Sequence, residues 1–185
     1  MTVRFAALCA LAPVALLAAC AGMTPGGMMK PHDQTALPDA VKVPAGHKVA
    51  METIGAGDIT YECRSKADAA NAYEWTFVGP QADLNSRGGA KLGTYYGPPA
   101  TWASSDGSKI TGTQLATAPG GAGNIPLQLV KANPASGAGA MNGVTYIQRV
   151  ATRGGVAPAS PCDQSALGRK ATVKYQADYV FWKAA

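Results

Sequence analysis

The chain predicts an all-β, single-domain fold, a β-sandwich or barrel-like arrangement of short strands joined by Gly/Pro-rich loops. Period-2 alternation of apolar and polar residues recurs along it, the signature of strands with one buried face. Its 185 residues include 22 glycines and 13 prolines, which break the sequence into short runs and mark turns between them. Helical composition is confined to one brief Ala-rich segment, SKADAANAYEW.

HKVAMETIGAGDITYECRS predicts a strand near Lys48–Ile54, a Gly-Ala-Gly-Asp turn and a second strand near Ile59–Arg64. In the second, Ile59, Tyr61 and Cys63 alternate with Thr60, Glu62 and Arg64, so Cys63 shares the inward face if its two neighbours define it. YEWTFVG sets Tyr73, Trp75 and Phe77 on one face, and KLGTYYG follows as a further strand. ATWASSDGSKITG places Asp106-Gly107 between two short strands, a hairpin signal because glycine accepts positive φ. IPLQLVKANP reads either as a strand or as one helical turn. NGVTYIQRVATRGG is apolar on much of both faces, as in a covered central strand, and ATVKYQADYVFWK is the last strand.

The N-terminus bears on compartment. Arg4 precedes the apolar run Phe5 to Ala19, shorter than the ~20 residues of a membrane-spanning helix and built like a secretory signal. It ends in Leu17-Ala18-Ala19-Cys20, which resembles the lipobox of bacterial lipoproteins, cut before the cysteine and acylated on its thiol. The rival reading is an ordinary signal peptide cut near Ala19, with Cys20 incidental. The expected organisation is a signal over residues 1–19, a flexible tether over 20–40 behind lipidated Cys20, and a β domain over 41–185. The tether gives way to a more fixed approach around Leu37 to Pro44. Ala21 is not the aspartate that, in the same resemblance, keeps a lipoprotein at the inner membrane. The expected address is therefore the outer membrane, facing the periplasm, with the membrane as partner through the palmitate-bearing Cys20.

With Cys9 in the signal and Cys20 lipidated, Cys63 and Cys162 remain, an even pair in an oxidising compartment, which predicts a disulfide. The competing readings need more than the chain supplies. A zinc site takes about four ligands, against two histidines and two widely spaced thiols, and a catalytic thiolate needs a neighbouring base. No metal and no cofactor is expected.

Candidate chemistry is sparse. GAGDIT, GGAGN and GAGAMNG lack the strand, helix and lysine context of phosphate-binding loops, so they read as β-connections. His47 has no nucleophile-elbow sequence to serve, and no carboxylate pair can be singled out among Glu52, Glu62, Glu74, Asp106 and Asp178. Tyr95, Tyr96 and Trp102 flank a Gly-Pro-Pro segment, where they either stack on a sugar or protein partner or fill the core of a small β domain. Arg149 and Arg153 bracket a strand end and either meet an anionic ligand or pair with Asp163 or Asp178. These five residues form the candidate ligand surface. The net charge of +5 is diffuse, without a basic run, which argues against nucleic acid as a partner.

A string of motifs runs through the domain: Tyr61-Glu62-Cys63, Trp75-Thr76-Phe77, GPQADL from Gly79, GTYYGP from Gly93, Trp102, Asp106-Gly107-Ser108, Ile125-Pro126-Leu127, YIQRV from Tyr146, Gly154-Gly155, Pro158, Cys162-Asp163 and Ala177-Asp178-Tyr179. In this string the chain resembles the secreted and lipoprotein family catalogued as domain of unknown function 3455. The resemblance covers about Leu37 to Trp182 and implies a secreted or envelope β-rich domain with the two cysteines as paired landmarks. It implies no activity. The chain departs from the family's pattern in having Tyr95 where a histidine usually stands and Leu127 where a tryptophan usually follows Ile-Pro. Together these observations point to a lipid-anchored envelope protein with a binding or structural role, its partner an envelope glycan or protein. The alternative is a periplasmic hydrolase acting on glycans or other envelope components.

Overall fold

The computed structural model describes Met1 and residues 32–185. The signal, the lipidation residue Cys20 and the tether before residue 32 lie outside the described residues. From residue 47 the chain forms eight antiparallel strands, each paired with the next. They are β1 (His47–Ser65), β2 (Tyr73–Asn85), β3 (Lys91–Tyr96), β4 (Thr101–Ser104), β5 (Lys109–Ala118), β6 (Leu127–Ala132), β7 (Val144–Gly154) and β8 (Lys170–Ala184). The last strand returns to pair with the first, from His47 opposite Ala184 to Glu62 opposite Lys170. The sheet is thus a closed barrel, which leaves no strand edge exposed.

Two sequence expectations change here. The Gly-Ala-Gly-Asp segment is not a turn: β1 runs unbroken through residues 55–58, paired on both sides. Gly55 and Gly57 are absent from the positive-φ residues; they are needed for space. A Cβ on Gly55 would collide with the ring of Tyr179, and one on Gly57 with the Gln81 carbonyl across β2. Glycine within a strand marks such close approaches as well as turns. SKADAANAYEW forms no helix. Its first half is a turn, with Asn71 at φ 57°, and its second half opens β2. IPLQLVKANP, open between two readings, supplies strand β6.

The barrel interior holds one apolar cluster that includes Ile59, Leu84, Tyr95, Trp102, Ile110, Ile147, Tyr179 and Phe181. Alternation puts these on the inner face. On the outer face of β6 to β8 a second cluster of Leu129, Val150, Val180 and Trp182 is covered by Val41 and Val43. These two come from the segment before β1, which includes a 3-10 turn, Asp39–Val41. Gln34 binds the Val43 backbone at both ends of its amide, and Gln148 on β7 donates to Val41 O and Gln34 Oε1. The chain is therefore fixed from about Gln34, six residues before the expected end of the tether at residue 40.

The two barrel ends differ. At the end where β1 begins, the β6–β7 loop folds across and buries Met141 completely. Asp106, in the Asp-Gly hairpin, holds that loop: its carboxylate accepts from Ser108 N at 2.9 Å, Ser108 Oγ at 2.6 Å and Ala140 N at 2.7 Å. These donors hold the Asp106 carboxyl well below its usual range, the Ser108 hydroxyl contributing most. The opposite end, ringed by the β1–β2, β3–β4, β5–β6 and β7–β8 loops, is open.

Candidate functional site

The open end contains a cavity of about 360 Å³. The inward-facing positions of five strands build it. On β7, Ile147 is buried in the barrel, so Arg149, two residues on, faces the same interior. Its register partners are Gln128 on β6 and Tyr179 on β8. Gln128 shares a side-chain amide hydrogen bond with Gln114 of β5. Across the opening stand Phe77 of β2, half exposed at 51%, and Tyr95 of β3, beside the Gly97-Pro98 turn.

Arg149 is held by the β5–β6 loop. Its Nε and Nη2 both donate to Pro126 O, at 3.1 and 3.0 Å. Behind Tyr95 the aromatic packing is continuous: Trp102 stacks on it with centroids 4.8 Å apart, and Tyr179 tilts against it at 5.0 Å. Tyr175 and Tyr179 share a hydrogen bond of 3.2 Å between hydroxyls. Burial pushes the phenols of Tyr61, Tyr95, Tyr175 and Tyr179 up, and the Arg149 charge pulls all four back down. One guanidinium thus faces a set of neutral phenols across the barrel's upper interior.

The disulfide closes one side of this end. Cys63 and Cys162 are joined with Cα atoms 5.5 Å apart, which ties the end of β1 to the long β7–β8 loop. Tyr61 donates to Gly155 O at 2.7 Å and Trp75 Nε1 to Ser160 O at 2.8 Å, so the loop is fastened at several points. A 3-10 turn (Gln164–Ala166) within it is capped by Asp163.

Of the five residues of the expected ligand surface, the structure brings Tyr95 and Arg149 together. Trp102 is a core residue, 1% exposed, and reaches the cavity only as the ring behind Tyr95. Tyr96, next to Tyr95, necessarily points out of the barrel. Arg153 is exposed, beyond an irregularity in β7 between Val150 and Arg153, where Ala151 takes φ 50°. The carboxylates offered to the arginines are engaged elsewhere: Asp178 with Arg87 at 2.9 Å, Asp163 in its own cap. Phe77, Gln114 and Gln128 were not legible as site residues; inward parity was their only signal. His47 sits at the closed end, edge-on to Tyr146 at 4.9 Å with Nδ1 3.0 Å from Pro44 O. Among the described residues no three or more His, Cys, Asp or Glu side chains are grouped to hold a metal ion.

Comparison with known proteins adds a family and no activity. The family model described as protein of unknown function (DUF3455) matches residues 44–183, which spans all of the barrel but its last residue, and the chain belongs to that family. No curated protein and no solved structure matches the chain.

Proposed function

We propose that this DUF3455 member is a lipid-anchored binding protein of the bacterial cell envelope that holds a small ligand in the open end of its barrel. The observation that carries the reading is the cavity itself. Eight-stranded barrels are just wide enough to be filled by side chains or to hold one small ligand. This one is packed solid at the closed end and open at the other, where about 360 Å³ falls within the ~300–1,000 Å³ usual for small-molecule sites. The lining is largely apolar with a few convergent polar groups, the composition of a ligand site. It contains no carboxylate, imidazole or thiol, so binding is the better supported role here, and a hydrolase would have to place its acid and base elsewhere.

The envelope address rests on the Leu17-Ala18-Ala19-Cys20 box. The disulfide agrees with it, since such bonds persist in oxidising compartments. Globomycin treatment should make the precursor accumulate and labelled palmitate should enter the protein in a Cys20-dependent way; failure of both rejects the anchor. The binding role is tested by thermal-shift screening of the lipoprotein in nonionic detergent against aromatic acids, sugars, acidic sugars and amines. At least one class should raise Tm, and Ala100→Trp, which fills the cavity from its rim, should abolish the shift. An equal shift in the variant, or no shift from any class, rejects the site.

A further inference from the structure

We infer that the ligand of this cavity is a monocarboxylate carried on a ring, an aromatic acid or an acidic sugar, whose carboxylate is received end-on by Arg149. The inference rests on the binding role above and assigns the ligand's chemical class.

It starts from the position of a charge. Arg149 projects inward from β7 at a place where the neighbouring inner-face residues, Ile147 on its own strand and Val130 on β6, belong to the apolar core. The guanidinium is only partly buried there, so the donors that protein groups leave unused are open to water or to a ligand. Arg149 takes part in none of the ion pairs among the described residues. Its recorded partner is the Pro126 carbonyl, a neutral acceptor.

The way that carbonyl is bound sets the geometry of what can follow. A guanidinium carries five N–H donors in a fixed plane. Pro126 O takes Nε–H and one Nη2–H, the side edge of the fork. The other edge, formed by Nη1 and the remaining Nη2 proton, is the pair that matches the two oxygens of a carboxylate. The backbone bond thus holds the fork in place and selects which edge receives the ligand. Gln128, directly opposite on β6, is tied to Gln114 and gives the same region neutral amide groups that can bind a hydroxyl or carbonyl.

The rest of the lining determines what carries the carboxylate. Phe77 offers a half-exposed ring, Tyr95 is backed by Trp102, and Pro98 and Pro126 complete the walls. Flat apolar surfaces of this kind suit a ring, aromatic or sugar. A single cation in the lining balances one negative charge; a phosphate dianion would bring a second with no partner, at the desolvation cost of an unpaired charge.

The test is isothermal titration of the lipoprotein in nonionic detergent near pH 7. The probes are 4-hydroxybenzoate and D-glucuronate, their neutral counterparts 4-hydroxybenzamide and D-glucose, and inorganic phosphate. One carboxylate should bind at least about tenfold more tightly than its neutral counterpart, and which one does so identifies the source. Arg149→Gln should weaken that carboxylate by about 10- to 100-fold, the range of a charge-assisted hydrogen bond, and weaken the neutral counterpart by less. Because Arg149 also holds the β5–β6 loop, Gln128→Glu provides a second variant. It places a carboxylate beside Arg149 and should lower affinity for the same ligand at least tenfold without removing the Pro126 contact. Equal affinity for charged and neutral partners, insensitivity to both substitutions, or tighter binding of phosphate overturns the carboxylate assignment and leaves the binding role standing. No binding by any probe, charged or neutral, overturns the assignment and counts against the binding role itself.

Discussion

Removing the disulfide by Cys63→Ala with Cys162→Ala should cost the domain a large share of a typical stability margin while leaving its native contacts in place. The two cysteines are 99 residues apart in sequence. At that loop length the chain-entropy relation gives ~4.7 kcal/mol at 25 °C, against the ~5–15 kcal/mol total of ordinary domains. The native side changes less. The β7–β8 loop keeps hydrogen bonds from Gly168 N to Cys63 O and from Cys63 N to Arg169 O, both 2.9 Å, besides those of Tyr61 and Trp75. Alanine is the substitution of choice because Cys63 is fully buried, where a serine hydroxyl would add a desolvation penalty. Urea unfolding followed by Trp fluorescence should show the oxidised protein about 4–5 kcal/mol more stable than the double variant. The reduced wild type should lie close to the variant. A difference below about 1 kcal/mol would mean that the reduced, unfolded chain already holds these segments together, and the entropic account would be refuted.

Other perturbations probe the interior and the two ends. Gly55→Ala should destabilise by about 1–2 kcal/mol, as overpacking against Tyr179 (~1–3 kcal/mol) outweighs the ~0.4–1 kcal/mol gained by stiffening the unfolded chain; a stabilised variant in the same urea assay would contradict the close approach. Raising the pH tests the buried phenols. Burial lifts the pKa of Tyr95, Tyr175 and Tyr179 above the unfolded value of about 10, so stability should hold below pH ~10 and fall above it, as the unfolded chain releases protons that the barrel retains. Phenolate absorbance from these residues should then appear together with unfolding, and a non-cooperative titration near pH 10 would place them in water. Asp106→Ala should speed amide exchange at Ser108 and Ala140 at neutral pH. Since the folded carboxyl is held low, wild type should keep this protection above the unfolded value near 4 and lose it as the pH falls through the lower folded value. Unchanged exchange in the variant would mean that the loop is held by other contacts.

Local alternation made much of this fold readable. It aligned Ile59, Tyr61 and Cys63 on one face and Trp75 with Phe77 on another, and barrel closure buries or lines the interior with them. The Asp106-Gly107 hairpin was equally local, because Gly107 at φ 91° satisfies a requirement that few other residues meet. What escaped depends on distant pairing. Whether the strands stack as a sandwich or close as a barrel is decided by β1 meeting β8 across more than a hundred residues, with shifts of register at several irregularities. Gly55 and Gly57 looked like a turn because the groups they make room for, the Tyr179 ring and the Gln81 carbonyl, are remote in sequence. The candidate site was half legible for the same reason. Tyr95 and Tyr96 are adjacent and so must face opposite ways, but only the closed sheet says which is inside. Arg149 and Arg153, four apart, would share a face in a regular strand; the irregularity at Ala151 separates them.

The segment that crosses β6 to β8 before β1 begins has a mechanical consequence. A chain held by its N-terminus feels tension first where that segment lies on the barrel, at the bonds from Gln148 to Gln34 and Val41 and at the apolar contacts of Val41 and Val43. These few contacts can yield while the nineteen residues of β1, paired with β8 from His47 to Glu62 and with β2 from Ile54 to Ser65, remain in place. They lie outside the barrel wall, whereas the cavity is inside it and at the end away from His47. On a protein anchored by its N-terminus, this segment would serve as a sacrificial link, releasing length under load before force reaches the strands that shape the open end.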